Sequence, residues 1–295
     1  MKRRRRAAFI FTFLAPACLL YGVFVAYPII EALLFSMYRW RGVSDVRAFV
    51  GFENFERLFK DTVFHTTLWN NLAFLIVGGV VMLAMSLLVA HACQGNGVMS
   101  RLLRSTYLMP HMVAIVVVAI IWQFMYNPSI GLFNASLRAI GQEDWVRPWL
   151  GDPTFALYAV IVTFCWYGLG FYIMLFAAGI KGIPSEIDEA ARLDGARGLT
   201  RFGRLTWPLL WPIRRVVVVH MIIAALNTFA LVFLMTRGGP DRRTEVMLTY
   251  LYEQAFQNSE FGYATALAVV NLVVVLALSG LAMFLFRHDP TEARR

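Results

Sequence analysis

The sequence is poor in charge. Only 15% of its 295 residues are Asp, Glu, Lys or Arg, against about a quarter in soluble domains, while 59% are hydrophobic and mean hydropathy is +0.62. A water-soluble globule is excluded on that ground. Lysine is scarcest: Lys2, Lys60 and Lys181 are followed by Arg3, Asp61 and Gly182, so no phosphate-binding loop ending in Lys-Ser or Lys-Thr exists. The five histidines never stand four apart and no serine sits in Gly-x-Ser-x-Gly, which removes the zinc-protease helix and the serine-hydrolase elbow. The three cysteines, Cys18, Cys93 and Cys165, lack Cys-x-x-Cys spacing, so neither a disulfide framework nor a metal site is expected. Nothing here has the make-up of an enzyme, and no cofactor is expected.

What the sequence does contain is long runs without a single charge, at 7–30, 62–100, 105–137, 153–180, 216–236 and 261–286. A hydrocarbon core of about 30 Å takes about 20 residues of helix. The expected fold is therefore an all-α integral membrane bundle of six transmembrane helices, near 9–31, 68–91, 106–126, 155–179, 214–236 and 263–286. The basic start, Met1-Lys2-Arg3-Arg4-Arg5-Arg6, resembles that of a secretory leader, but the apolar run is too long and Tyr27-Pro28-Ile29-Ile30 follows it instead of small residues. It reads as a retained anchor.

Orientation follows from the loops. The N-terminus, the 92–105 and 180–215 loops and the C-terminus carry 17 of the 27 Lys and Arg, which places both termini of a multi-pass protein in the cytoplasm. The net charge of +9 belongs to these loops rather than to one basic face, so nucleic acid is not expected as a partner. Trp40, Trp69, Trp145, Trp149, Trp207 and Trp211 fall near the expected span ends and read as interfacial anchors.

Ionisable groups are nearly absent from the expected spans: Glu31 lies at the outer end of the first, and His65, His91, His111 and His220 lie near span ends. A proton-driven carrier keeps a carboxylate or histidine relay inside its bundle despite a cost of roughly 2.5–3.5 kcal/mol per charge. A sodium-coupled carrier can instead work through backbone carbonyls and hydroxyls, so a self-sufficient secondary carrier or channel for a small neutral solute remains as the alternative.

The loop 180–213 is built to hold short helices. Ser185 suits an N-cap, with Asp188 three residues on and further acids in the first turn, and Gly195 can take the left-handed conformation that ends a helix. A second helix from about Leu199 would stop at Trp207-Pro208. Such a pair fits either a docking element or a solvated connector.

Glu189-Ala190-Ala191, three residues, Gly195, nine residues, then Leu205-Thr206-Trp207-Pro208 resembles the EAA motif of ABC importer permeases, EAA-x3-G-x9-I-x-L-P. The spacing is kept, with Leu205 for Ile and Trp207 for Leu. Phe49-Val50-Gly51-Phe52-Glu53-Asn54-Phe55, Asn127-Pro128-Ser129-Ile130-Gly131-Leu132-Phe133-Asn134, and Met235-Thr236-Arg237-Gly238-Gly239-Pro240 with Thr244 resemble segments of the MalF- and UgpA-type permeases of carbohydrate importers. Unlike the enterobacterial maltose permease, the chain has no large extracellular insert.

The resemblance implies a type I ABC importer permease fold with cytoplasmic coupling helices, in a prokaryotic inner membrane. It also implies a transport subunit that pairs with a MalG-type second permease, a cytoplasmic ATPase dimer and an extracytoplasmic sugar-binding protein, surrounded by lipid. On that pattern residues 1–67 hold the tail, first span and outer loop, 68–287 the permease core, and 288–295 a tail. Glu189, Ala190, Ala191, Asp194, Gly195 and Pro208 would couple to the ATPase. The polar groups within spans, Trp166, Tyr167, Asn227, Thr228 and Asn271, would line the substrate path. Amides, hydroxyls and aromatic faces suit a neutral sugar or polyol, and the same groups also serve as interhelical packing and hydrogen-bond glue.

Overall fold

The computed structural model describes residues 2–42, 46–92, 98–193, 195–196 and 198–288; Cys93, Asp194 and residues 289–295 lie outside them. Within the described residues five helices are long and apolar enough to cross a membrane: Ile10–Phe35, Thr62–Ala92, Ala156–Lys181, Trp211–Met235 and Phe261–Leu285. Thr106–Met112 and Ile115–Met125 make a sixth crossing if taken together, and they meet at 111°.

That bend departs from the straight third helix expected at 106–126. The first piece begins earlier, at Val98, and Pro110 falls in its last turn, where it withholds a donor from the helical ladder. The chain then leaves the helix through Ala114, at φ −58° and ψ 134°. The Ala114 carbonyl restarts it by accepting from the amides of Val117 and Val118.

The chain divides into two compact units. The first comprises Met1–Asp61 and Leu251–Leu272. No residue between Ile10 and Phe35 is buried, so the first span presents apolar side chains on all sides. Beyond it, strands Tyr38–Arg39 and Ala48–Phe49 pair antiparallel and lead to helix Glu53–Lys60. Asn54 fixes that turn: it is buried, and its amide donates to the carbonyls of Ser36 and Tyr38 at 2.8 and 3.0 Å. The start of the sixth span joins the same knot. The Gly262 amide donates to the Trp40 carbonyl (3.1 Å), Arg57 pairs with Glu260 at 2.6 Å, and the Tyr263 hydroxyl donates to Asp61.

The second unit comprises Thr62–Tyr250 and Val273–Arg295. Its core is centred on the fourth span, where Val160, Ile173 and Phe176 pack with Phe74 and Met82 of the second span and Val217 and Met221 of the fifth. Helix Val98–Met112 crosses the fourth span at Gly170, where a Cβ would land on the Tyr107 carbonyl. Buried and half-buried polar side chains fasten the loops between spans. Asn134 donates to the Arg147 carbonyl (2.9 Å) and accepts from the Trp149 indole (2.8 Å), and the Thr236 and Thr244 hydroxyls lie 2.7 Å apart. Segments that carry the family resemblance thus do so through residues with a structural task.

Candidate coupling loop and substrate path

The fourth span ends at Lys181, and the Gly182 amide closes its last turn onto the carbonyls of Ala178 and Gly179. After Ile183-Pro184 the chain forms helix Ser185–Leu193. Glu189 and Ala190 are exposed on it and Ala191 is half-buried. Gly195 has φ +80°, and the Ala196 amide reaches back to the Ala191 carbonyl at 2.9 Å. A six-to-one bond over a left-handed glycine is the Schellman ending, as the sequence led us to expect of Gly195.

Helix Gly198–Arg201 follows, then a wider turn, Phe202–Thr206, closed by the Trp207 amide on the Phe202 carbonyl. The expected stop at Trp207-Pro208 is not found. Helix resumes over Trp207–Leu209 with Pro208 in its first turn, a position at which proline's missing N–H has no intrahelical partner to lose. The break comes at Leu210, and Pro212 opens the fifth span in the same way.

Trp207 and Trp211, read from sequence as interfacial anchors, have a definite task. Both rings face the buried guanidinium of Arg214, at 4.0 and 4.8 Å, and the Trp211 indole donates to the Phe286 carbonyl at 3.2 Å. The loop is thereby tied to the start of the fifth span and the end of the sixth. Beside this joint an apolar cavity of about 400 Å³ is lined by residues including Gly179, Pro184, Leu209 and Ile213.

The fifth span is interrupted. Helix Trp211–Leu226 stops, residues 227–229 leave helical geometry, and helix Ala230–Met235 resumes. Three carbonyls at the first helix's end, those of Ala224, Ala225 and Leu226, would lack partners in lipid, and side chains supply them, with Ile223 gaining a second donor beside the Asn227 amide. Asn227 donates to Ile223 (2.9 Å), Thr228 to Ala224 (2.9 Å), and Asn71 to Ala225 (2.9 Å) and Leu226 (3.5 Å). Asn71, wholly buried in the second span, also accepts from the Met247 amide at 2.9 Å. Its neighbour Asn70 donates to the Glu245 carbonyl (2.8 Å), and Gln123 donates to the Leu234 carbonyl (2.7 Å) at the end of the second piece.

Asn227 is thus exposed and Thr228 buried, each side chain turned onto its own helix. Trp166 is 40% exposed and lies edge-on to Trp122 at 5.6 Å. Tyr167, half-buried, joins a group of rings that the sequence did not single out. Its ring lies 5.0 Å from His111, and its carbonyl 3.3 Å from His111 Nδ1. Phe171 stands 5.4 Å from His111 and 4.7 Å from His220, and the Tyr172 hydroxyl lies 3.1 Å from His220 Nδ1. His220 is the tenth residue of the fifth span, well inside it rather than near its end. Helix Trp211–Leu226 begins before the expected residue 214, because Pro212 starts it. Asn271 is buried in the sixth span.

Asn70, Asn71 and Gln123 were missed because each lies in an apolar run where one amide looks like incidental glue. Their partners are as many as 176 residues away. Among the described residues no three His, Cys, Asp or Glu side chains gather as metal ligands.

A multi-span helical bundle with an exposed, capped loop helix and a broken, amide-braced span belongs to the class of membrane transport subunits. The chain is a member of the family of binding-protein-dependent transport system inner membrane components, whose profile matches residues 82–288. It is 36% identical over 284 residues to the probable ABC transporter permease protein YurN of Bacillus subtilis, covering 96% of this chain and 97% of that one. To the diacetylchitobiose uptake system permease protein NgcF of Streptomyces coelicolor it is 34% identical, covering 96% and 83%. The fold matches a chain of a bacterial ABC transporter involved in the import of the acidic polysaccharide alginate, with TM-score 0.83 and 24% identity over 97% of each. The protein is an inner-membrane, multi-pass component of an ABC transport system and not an enzyme.

Proposed function

We propose that this chain is one of two permeases forming the path of an ATP-driven importer for a neutral sugar, with a MalG-type permease as the other. An extracytoplasmic sugar-binding protein delivers the solute, and a cytoplasmic ATPase dimer receives the loop helix Ser185–Leu193. Both termini are cytoplasmic on this reading, and lipid with the second permease covers the first span, whose residues are all unburied.

The observation that carries the proposal is the loop helix itself, closed at Gly195 and leaving Glu189 and Ala190 exposed. Alanine keeps the helix slim enough to enter a cleft, and Glu189 adds a charge-assisted contact there. The Arg214 clamp on Trp207 and Trp211 supports mechanical coupling, because motion of the loop would be passed to the fifth and sixth spans. Asp194 and Pro208 belong to the same element by the motif. Trp166, Tyr167, Asn227, Thr228 and Asn271 line the path. A neutral solute is favoured because 153–180 and 216–236 contain no Arg or Lys.

The test is purification of tagged chain from its native membrane in mild detergent, with mass spectrometry of what accompanies it. A second permease and an ATPase are expected, the ATPase weakened by Glu189→Lys. Recovery of the chain alone, still moving solute in liposomes without ATP, would replace this reading with that of a self-sufficient carrier.

A further inference from the structure

The ring group around Phe171 lies where aromatic packing alone would not place histidines. His220 is nine residues from Trp211, about 14 Å along the helix and so within the span. It is exposed in the isolated chain. Imidazoles at that depth face a bundle interior or a water-filled cavity rather than lipid, so this face turns toward a path.

Both imidazoles spend the same atom on the fourth span. His111 Nδ1 lies 3.3 Å from the Tyr167 carbonyl, which can only accept, so the ring carries its proton on Nδ1 and presents Nε2 as an acceptor. His220 Nδ1 lies 3.1 Å from the hydroxyl of Tyr172, itself 2% exposed. With that hydroxyl donating, His220 carries its proton on Nε2 and presents a donor. Between them stands the half-buried ring of Phe171.

We propose that His111 and His220 are specificity-determining residues of the path, an acceptor and a donor flanking Phe171 that together engage a neutral carbohydrate. The inference rests on the importer reading above. A sugar hydroxyl donates and accepts at once, matching the two Nε2 atoms, and its C–H face covers an aromatic ring. Tyr172 is a positioning residue that holds the His220 ring through Nδ1.

The test uses cells expressing the whole importer, offered a mixture of lactose, maltotriose, diacetylchitobiose and glycerol 3-phosphate, with each internal concentration read by mass spectrometry. Loss of one neutral hydrogen bond predicts a fall of about three- to tenfold in uptake of the transported sugar in His220→Leu and in His111→Leu. Membrane levels should be unchanged, and His220→Gln should restore part of the loss. Tyr172→Phe should alter the ranking of sugars by less. Wild-type uptake of every sugar by both leucine variants overturns the proposal, as does a loss that His220→Gln shares because the protein leaves the membrane. A wild-type importer that admits none of the mixture, or glycerol 3-phosphate alone, overturns instead the neutral-sugar reading beneath it.

Discussion

Helices Ser185–Leu193 and Trp211–Leu226 both stop where another helix begins within a few residues, and they are stopped by different means. The loop helix is ended by its own neighbours: Gly195 turns left-handed and the Ala196 amide caps Ala191. In the spanning helix, Asn227 and Thr228 cap two carbonyls, and the rest are taken by Asn71, 154 and 155 residues away. Water satisfies whatever a solvent-facing end leaves open, so local chemistry suffices there. Inside a bilayer each freed carbonyl needs a protein partner, and the break must be built from several spans together.

The largest effect is expected at Asn71. Asn71→Leu removes the donor to Ala225 and Leu226 and the acceptor for Met247 at a fully buried site. Each orphaned group costs about 1–3 kcal/mol, so the unfolding temperature of the purified assembly should fall sharply and uptake should vanish. A variant as stable as the wild type would show that the break does not depend on the second span. Next comes Arg214→Ala, which empties the position between Trp207 and Trp211. Burial places the cation–π contribution near the upper estimate of about 2 kcal/mol, and uptake should fall more than ATPase binding does, measured side by side.

Gly195→Ala forces a Cβ into left-handed geometry at a local cost of about 1–2 kcal/mol. The local ending confines the damage: ATP hydrolysis should uncouple from uptake while the unfolding temperature stays put. A global loss of stability would erase the contrast between the two ends. The smallest stability change belongs to Asn227→Ala, since the Ile223 carbonyl keeps the Asn227 amide at 3.1 Å; about 1 kcal/mol or less is expected. If Asn227 also lines the path, uptake drops without matching destabilisation. Equal uptake would leave it a helix cap only.

The same difference decides what could be read in advance. The loop's ending lies within a dozen residues, so Gly195 announced its conformation, and the charge-free runs announced the crossings. The bend at Ala114 and the break at 227–229 did not show, because apolar composition is blind to where a helix is interrupted. Asn227 and Thr228 stood out as polar, but their turn back onto Ile223 and Ala224 follows from a break that hydropathy does not register. Asn71 and His220 have meaning only through partners on other helices: Met247 and Ala225 for one, Tyr172 and Phe171 for the other. Pro208 misled for a related reason. A proline signals a stop unless the preceding turn has already shifted the hydrogen-bond register, as Phe202–Thr206 does.

The most direct measurement is sugar uptake and ATP hydrolysis, followed together, in proteoliposomes holding the full assembly with wild-type chain or Glu189→Lys. Wild-type uptake should require ATP and the binding protein, and Glu189→Lys should abolish it with both permeases still assembled. Uptake that proceeds without ATP, or that Glu189→Lys leaves intact at equal protein levels, would contradict coupling through the loop helix.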